Sequence, residues 1–138
     1  MDTNAWLSAF LNPASRLGRR LLRLRLSSRF ALVYSRELQE EILRVLTTKP
    51  YFTARVSGAA LARIQRQVAR FAPLTPVQSE VRVCRDPNDN FLLALSQDAA
   101  ADFLLTGDQD LLVLGQFGRT RILTWAEAAN LLHLDEVR

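Results

Sequence analysis

The chain has almost none of the residues that build the commonest chemical sites. Its 138 residues include one cysteine, Cys84, so neither an internal disulfide nor a cysteine-rich metal site can form. The one histidine, His133, excludes a histidine-based zinc centre. It also leaves Ser8 and Ser35 without a partner nearby in sequence for a serine–histidine–aspartate triad. Lysine is just as scarce: Lys49 stands alone among 18 basic residues, the rest being arginine. No apolar run approaches the length of a membrane-spanning helix, and no charged-then-apolar leader opens the chain. A cytoplasmic location away from membranes is the expectation. Any metal would have to be held by carboxylates.

What is present reads as a globular protein. Hydrophobic residues make up 49% and charged residues 23% of the chain, ordinary values for a packed fold. Its length suits a single domain over residues 1–138 with a real core. The net charge is +4. Arginine's planar fork suits phosphate, although a genome rich in arginine codons would give the same composition. Arg16, Arg19, Arg20, Arg23, Arg25 and Arg29 crowd into one stretch. Within it Leu17, Leu21 and Leu24 form an apolar stripe that should pack down. Arg16, Arg20 and Arg23 form a neighbouring stripe that should stay at the surface. That stripe is either a solvated face or a contact for RNA phosphates or an acidic partner segment.

Apolar periodicity and turn signals alternate strand with helix. Helices are expected over residues 4–11, 14–26, 36–46 and 59–71. Ser35 caps the third, and Lys49-Pro50 stops it. Residues 51–58 read as a loop. Strands are expected over 30–34, 81–84, 103–106 and 121–123. Asp86-Pro87 opens one helix, Asp108 a short one, and Thr124 caps the last. Such alternation predicts an α/β fold with a mostly parallel sheet covered on both faces. Ligands then collect beyond the carboxyl ends of the strands.

Four acids fall where such a sheet would gather them: Asp2, Glu41, Asp89 and Asp108. Gathered carboxylates repel one another, and Mg²⁺ or Mn²⁺ with hard oxygen ligands is the usual relief. Each also has a plainer explanation. Glu41 borders the stripe of Leu38, Ile42, Val45 and Leu46, so it points toward the sheet or snorkels to water at its rim. Glu40, four residues from both Arg36 and Arg44, lies on the solvated face. Asp86 is a good N-cap, and Asp89 sits where a capping box places its acid. Asp108 and Asp110 follow a glycine turn and read as a cap or as a ligand pair.

Taken in order, the strings resemble a PIN domain, the nuclease fold of VapC-like toxins. They are Asp2-Thr3-Asn4, Ser35-x-x-Leu38 with Glu41-Ile42, Asp86-x-x-Asp89, and Thr106-Gly107-Asp108-x-Asp110-Leu111. The resemblance spans nearly the whole chain and is closest to toxin components of toxin–antitoxin systems. It implies a three-layer α/β/α fold and a Mg²⁺- or Mn²⁺-dependent endoribonuclease. Asp2, Glu41, Asp89 and Asp108 would be the metal-holding catalytic acids, with Asp86 and Asp110 as satellites. Thr3, Asn4 and Thr106 would orient the acids. The implied partners are an RNA substrate, an antitoxin protein and a second copy in a homodimer. In that family an apolar central strand ends at the first aspartate. Here only Met1 precedes Asp2, so the start lies upstream or the central strand is missing or truncated. A non-catalytic PIN-like module that holds RNA or protein is the alternative. Two other acid-cluster enzymes fit less well. A haloacid-dehalogenase-like phosphatase wants a second aspartate two residues after its nucleophile, where Asp2 has Asn4. A receiver domain wants a lysine by its acids, and only Lys49 is on offer.

Overall fold

The computed structural model describes residues 1–71 and 73–136. Helix α1 (Thr3–Leu11) starts where the Asp2 carboxylate accepts the Ala5 N–H at 2.9 Å. It buries Ala5, Trp6, Leu7, Ala9 and Phe10, a near-continuous apolar surface that belongs inside rather than on a rim. Helix α2 (Arg16–Leu26) is capped by Ser15 and buries Gly18, Leu21 and Leu24. A β-carbon at Gly18 would lie 2.5 Å from the Pro13 carbonyl oxygen. Only glycine lets the α1–α2 corner close this tightly.

Helix α3 (Arg36–Thr48) is capped by the buried Ser35 hydroxyl and buries Leu38, Ile42, Val45 and Leu46. Pro50 then starts a new turn, α4 (Pro50–Thr53), where a loop over 51–58 was expected. Proline at the first helical position is preorganised for a helix, so it ends α3 and begins α4. Helix α5 (Gly58–Arg70) buries Ile64 and Val68. A 3₁₀ turn (Pro87–Asp89) leads into α6 (Asn90–Asp98). The chain finishes with β1 (Phe103–Leu105), α7 (Gln109–Leu112), β2 (Gln116–Phe117), β3 (Thr120–Leu123), α8 (Trp125–Leu132) and a 3₁₀ turn (Leu134–Glu136). Thr124 and Glu127 form a reciprocal capping box on α8.

The sheet is smaller than the sequence suggests. Among the described residues it has three strands in the order β1-β3-β2. Only β1 and β3 run parallel; β2 and β3 are antiparallel. Residues 30–34 and 81–84, both expected as strands, join no sheet. The Tyr34 carbonyl accepts the Thr75 N–H at 2.7 Å, which is one bond rather than a ladder. A cavity of about 360 Å³ opens beside the first of them, lined by both Arg29–Val33 and Phe103–Leu105. Among the described residues neither segment is assigned a strand partner across the cavity. Asp2 comes nearest, its N–H donating to the Leu105 carbonyl at 3.2 Å.

Helices therefore carry most of the core. Trp6, Tyr34, Leu38, Ile42, Ile64 and Val68 are buried together. Phe71 stands edge-on to Trp6 at 4.9 Å between ring centroids, a favourable quadrupole arrangement. The buried Tyr34 hydroxyl donates to the Val68 carbonyl at 3.1 Å, and burial pushes its phenol pKa up. No helix among the described residues is long and apolar enough to cross a membrane.

Candidate functional site

Five acids chosen from the sequence line one open cleft of about 1070 Å³: Asp2, Glu41, Asp86, Asp89 and Asp108. They arrive from the start of α1, the middle of α3, the turn before α6 and the cap of α7. Thr3 and Asn4 line the same space. Asp110 reaches the cluster from the first turn of α7, and one oxygen each of Asp86, Asp89 and Asp110 lie within 4.8 Å of one another.

Local chemistry fixes the acids differently. Asp2 is fully committed. One of its oxygens caps α1, and the other accepts the Thr106 hydroxyl at 2.6 Å and the Gly107 N–H at 3.1 Å. Thr106 is buried, and its hydroxyl also accepts the Asp108 N–H at 3.0 Å. It thereby ties Asp2 to the α7 turn. Asp86 accepts the Asn88 N–H and Asp108 accepts the Asp110 N–H, so both are caps as well as cleft residues. Glu41 forms a two-pronged pair with Arg44 at 2.8 and 3.0 Å. Asp110 pairs with Arg85 at 3.0 Å.

Asp89 is the exception. Its Oδ2 is buried and meets no hydrogen-bond donor among the described residues. Its pKa is pushed up to about 7, first by burial, then by hydrogen bonding with Asp108 and repulsion from Asp108, Asp86 and Asp110. The two observations agree once protons are counted. Two ionised carboxylates offer each other no donor, so a bond between Asp89 and Asp108 would require Asp89 to keep its proton.

This arrangement fits a hard divalent cation. The donors are all carboxylate oxygens, three of them close together, and a buried anionic oxygen without a partner is costly unless a cation meets it. Glu41 would have to release Arg44 before it could join, whereas the buried Oδ2 of Asp89 has no protein donor among the described residues to give up.

The arginine stripe needs correction. Leu21 and Leu24 pack down and Leu17 is half-buried, as the periodicity implies. Arg20, however, is drawn inward. Its side chain is 12% exposed and grips Asp135 through two bonds of 2.7 Å. Arg23 donates to the Asp135 carbonyl at 3.2 Å. The pair raises the Arg20 pKa and lowers that of Asp135. A helical wheel cannot show a partner more than a hundred residues away.

The cleft also has a wall that the sequence reading passed over, formed by Arg44, Lys49, Tyr51 and Phe52. One signal was available. Arg44 stands three residues after Glu41, the spacing of a helical ion pair. The position of Tyr51 depended on recognising the Pro50 helix start.

A family model described as PIN domain matches residues 1–110. The chain therefore belongs to the PIN domain family, whose members are generally metal-dependent nucleases. Comparison with curated proteins and with solved structures finds no match.

Proposed function

We propose that this protein is an endoribonuclease that hydrolyses RNA phosphodiester bonds with Mg²⁺ or Mn²⁺, and that it acts as the toxin of a toxin–antitoxin pair. The observation that carries the nuclease reading is the orphaned, buried oxygen of Asp89 among Asp86, Asp108 and Asp110 in an open cleft. In this reading Asp89 and Asp108 are the central acids, with Asp86 and Asp110 beside them. Asp2 is held at the edge by Thr106, and Glu41 joins when Arg44 lets go. A divalent cation bound there supplies Lewis acidity, easing loss of a proton from water and offsetting phosphate charge. Without a cation, burial and then the neighbouring acids push the Asp89 pKa up to about 7; a bound cation would favour its ionised, ligating form. Thr106 fixes the Asp2 and Asp108 segments relative to each other, so the acids need little rearrangement. Neither Cys84 nor His133 lines the cleft.

The direct test is cleavage of a single-stranded RNA. Cutting should require Mg²⁺ or Mn²⁺, and Asp89→Asn should slow it by about 10²–10⁴-fold while keeping the fold. Cutting that persists in EDTA rejects the reading. For the toxin role, induced expression should arrest growth of the host cell and Asp89→Asn should not. A non-catalytic binder is the second reading. It is favoured by Asp2, whose two oxygens are both spent on protein donors, and by the closed Glu41–Arg44 pair. Stoichiometric RNA binding with no turnover would select it.

A further inference from the structure

The cleft is not lined by acids alone. Arg44, Lys49, Tyr51 and Phe52 line it too, Arg44 being already paired with Glu41. Tyr51 is 61% exposed, unusual for a large aromatic that packs against no core. Its ring is nonetheless held in place. The Arg55 guanidinium lies over it at 4.0 Å, and Phe52 meets it edge-on at 5.0 Å. Arg55 in turn donates to the Tyr51 carbonyl at 2.9 Å. Tyr51 lines the cleft and Arg55 does not, so the arginine backs the ring from outside. Lys49, the only lysine in the chain, is exposed two residues away, and no ion pair to it is seen among the described residues.

We propose that the corner between α3 and α4 is a nucleotide subsite for single-stranded RNA, with one base stacked on the cleft side of Tyr51 and an adjacent phosphate met by Lys49. This rests on the nuclease reading for the identity of the polymer. Three features favour a single strand. A fixed, exposed aromatic accepts the face of any unpaired base, and that face is hidden in a duplex. Arg55 stacked behind the ring stiffens the platform and adds cation–π attraction. Lys49 supplies a flexible point charge, suited to a phosphate whose position varies with the base. The acids of the same cleft repel the rest of the backbone unless a cation screens them, so the subsite does the holding while the acids do the chemistry.

The test measures binding apart from cleavage. A fluorescein-labelled single-stranded RNA of mixed sequence is titrated with the full chain in EDTA and low salt, and anisotropy is read. Tyr51→Ala should weaken binding about tenfold, and Tyr51→Phe should bind like the parent, since stacking needs the ring and not the hydroxyl. Lys49→Gln should reduce the slope of log affinity against log salt by about 0.7, the share of one phosphate on a single strand. Binding to an RNA duplex should be indifferent to Tyr51. Tyr51→Ala binding as well as the parent overturns the subsite, whether or not the parent cuts RNA with Mn²⁺. A parent that fails to bind single-stranded RNA overturns it too. Tyr51→Ala losing binding in a protein that never cuts would leave the subsite standing and remove the nuclease reading instead.

Discussion

Replacing Asp89 with asparagine should stabilise the metal-free protein, an unusual outcome for a residue at the centre of a candidate site. The Asp89 carboxyl rises from its ordinary 3.8 to about 7 because burial and three neighbouring acids oppose its charge. At about 1.4 kcal/mol per pH unit, that rise corresponds to a ceiling of about 4 kcal/mol. The cleft is open to water, and screening there reduces the cost to about 1–2 kcal/mol. Below about pH 4 the carboxyl is protonated in both folded and unfolded chains, so it costs nothing. From about pH 4 to 7 the unfolded chain releases the proton and the folded chain keeps it, so stability falls as pH rises. Above about pH 7 the full cost is present. The substituted asparagine would carry no charge, and its amide would donate to Asp108. Urea unfolding in EDTA should show the two proteins matching near pH 4. By pH 8 the Asp89→Asn variant should be ahead by about 1–2 kcal/mol, or about 3–8 °C in Tm. Mn²⁺ at pH 8 should raise the Tm of the parent and narrow the gap. A variant no more stable than the parent at pH 8 in EDTA would refute the claim that Asp89 is a strained, uncompensated acid.

Three other substitutions probe the scaffold. Gly18→Ala would drive a methyl to 2.5 Å from the Pro13 carbonyl oxygen and should cost about 2–3 kcal/mol in urea unfolding. Thr106→Val removes a donor to Asp2 and an acceptor for the Asp108 N–H. It should cost about 2–3 kcal/mol, and Thr106→Ser should recover most of that. Tyr34→Phe should cost only about 1 kcal/mol, because Gln39 also donates to the Val68 carbonyl, at 3.2 Å. A larger loss would mean that the phenol supports more than that one carbonyl.

Local chemistry made the helices legible. Ser35 and Thr124 each cap a helix, as small hydroxyl residues do ahead of an apolar periodic run. The acids were legible because caps and strand ends cluster along one edge of the molecule. Strands were harder, since a strand is a relation between segments. Residues 30–34 have the composition of a buried strand, but pairing needs a neighbour that composition does not reveal. The same holds for ion pairs across the fold. Arg44 could be matched to Glu41 from spacing, whereas the engagement of Arg20 with Asp135 and of Arg85 with Asp110 depends on packing.

The cavity beside β1 bears on how the protein behaves when crowded. In a parallel strand, successive residues turn their N–H and C=O groups to opposite edges. The register with β3 turns Leu104 inward and leaves Phe103 and Leu105 facing the cavity, where Asp2 takes only the Leu105 carbonyl. Left unpaired, an edge of that kind would be a template for sheet growth between molecules. Residues 29–33 line the same cavity as Phe103–Leu105. In that position they would hinder edge-to-edge association. The protection lasts only as long as that segment stays docked, so conditions that loosen residues 29–33 would expose the edge well before the helical core melts.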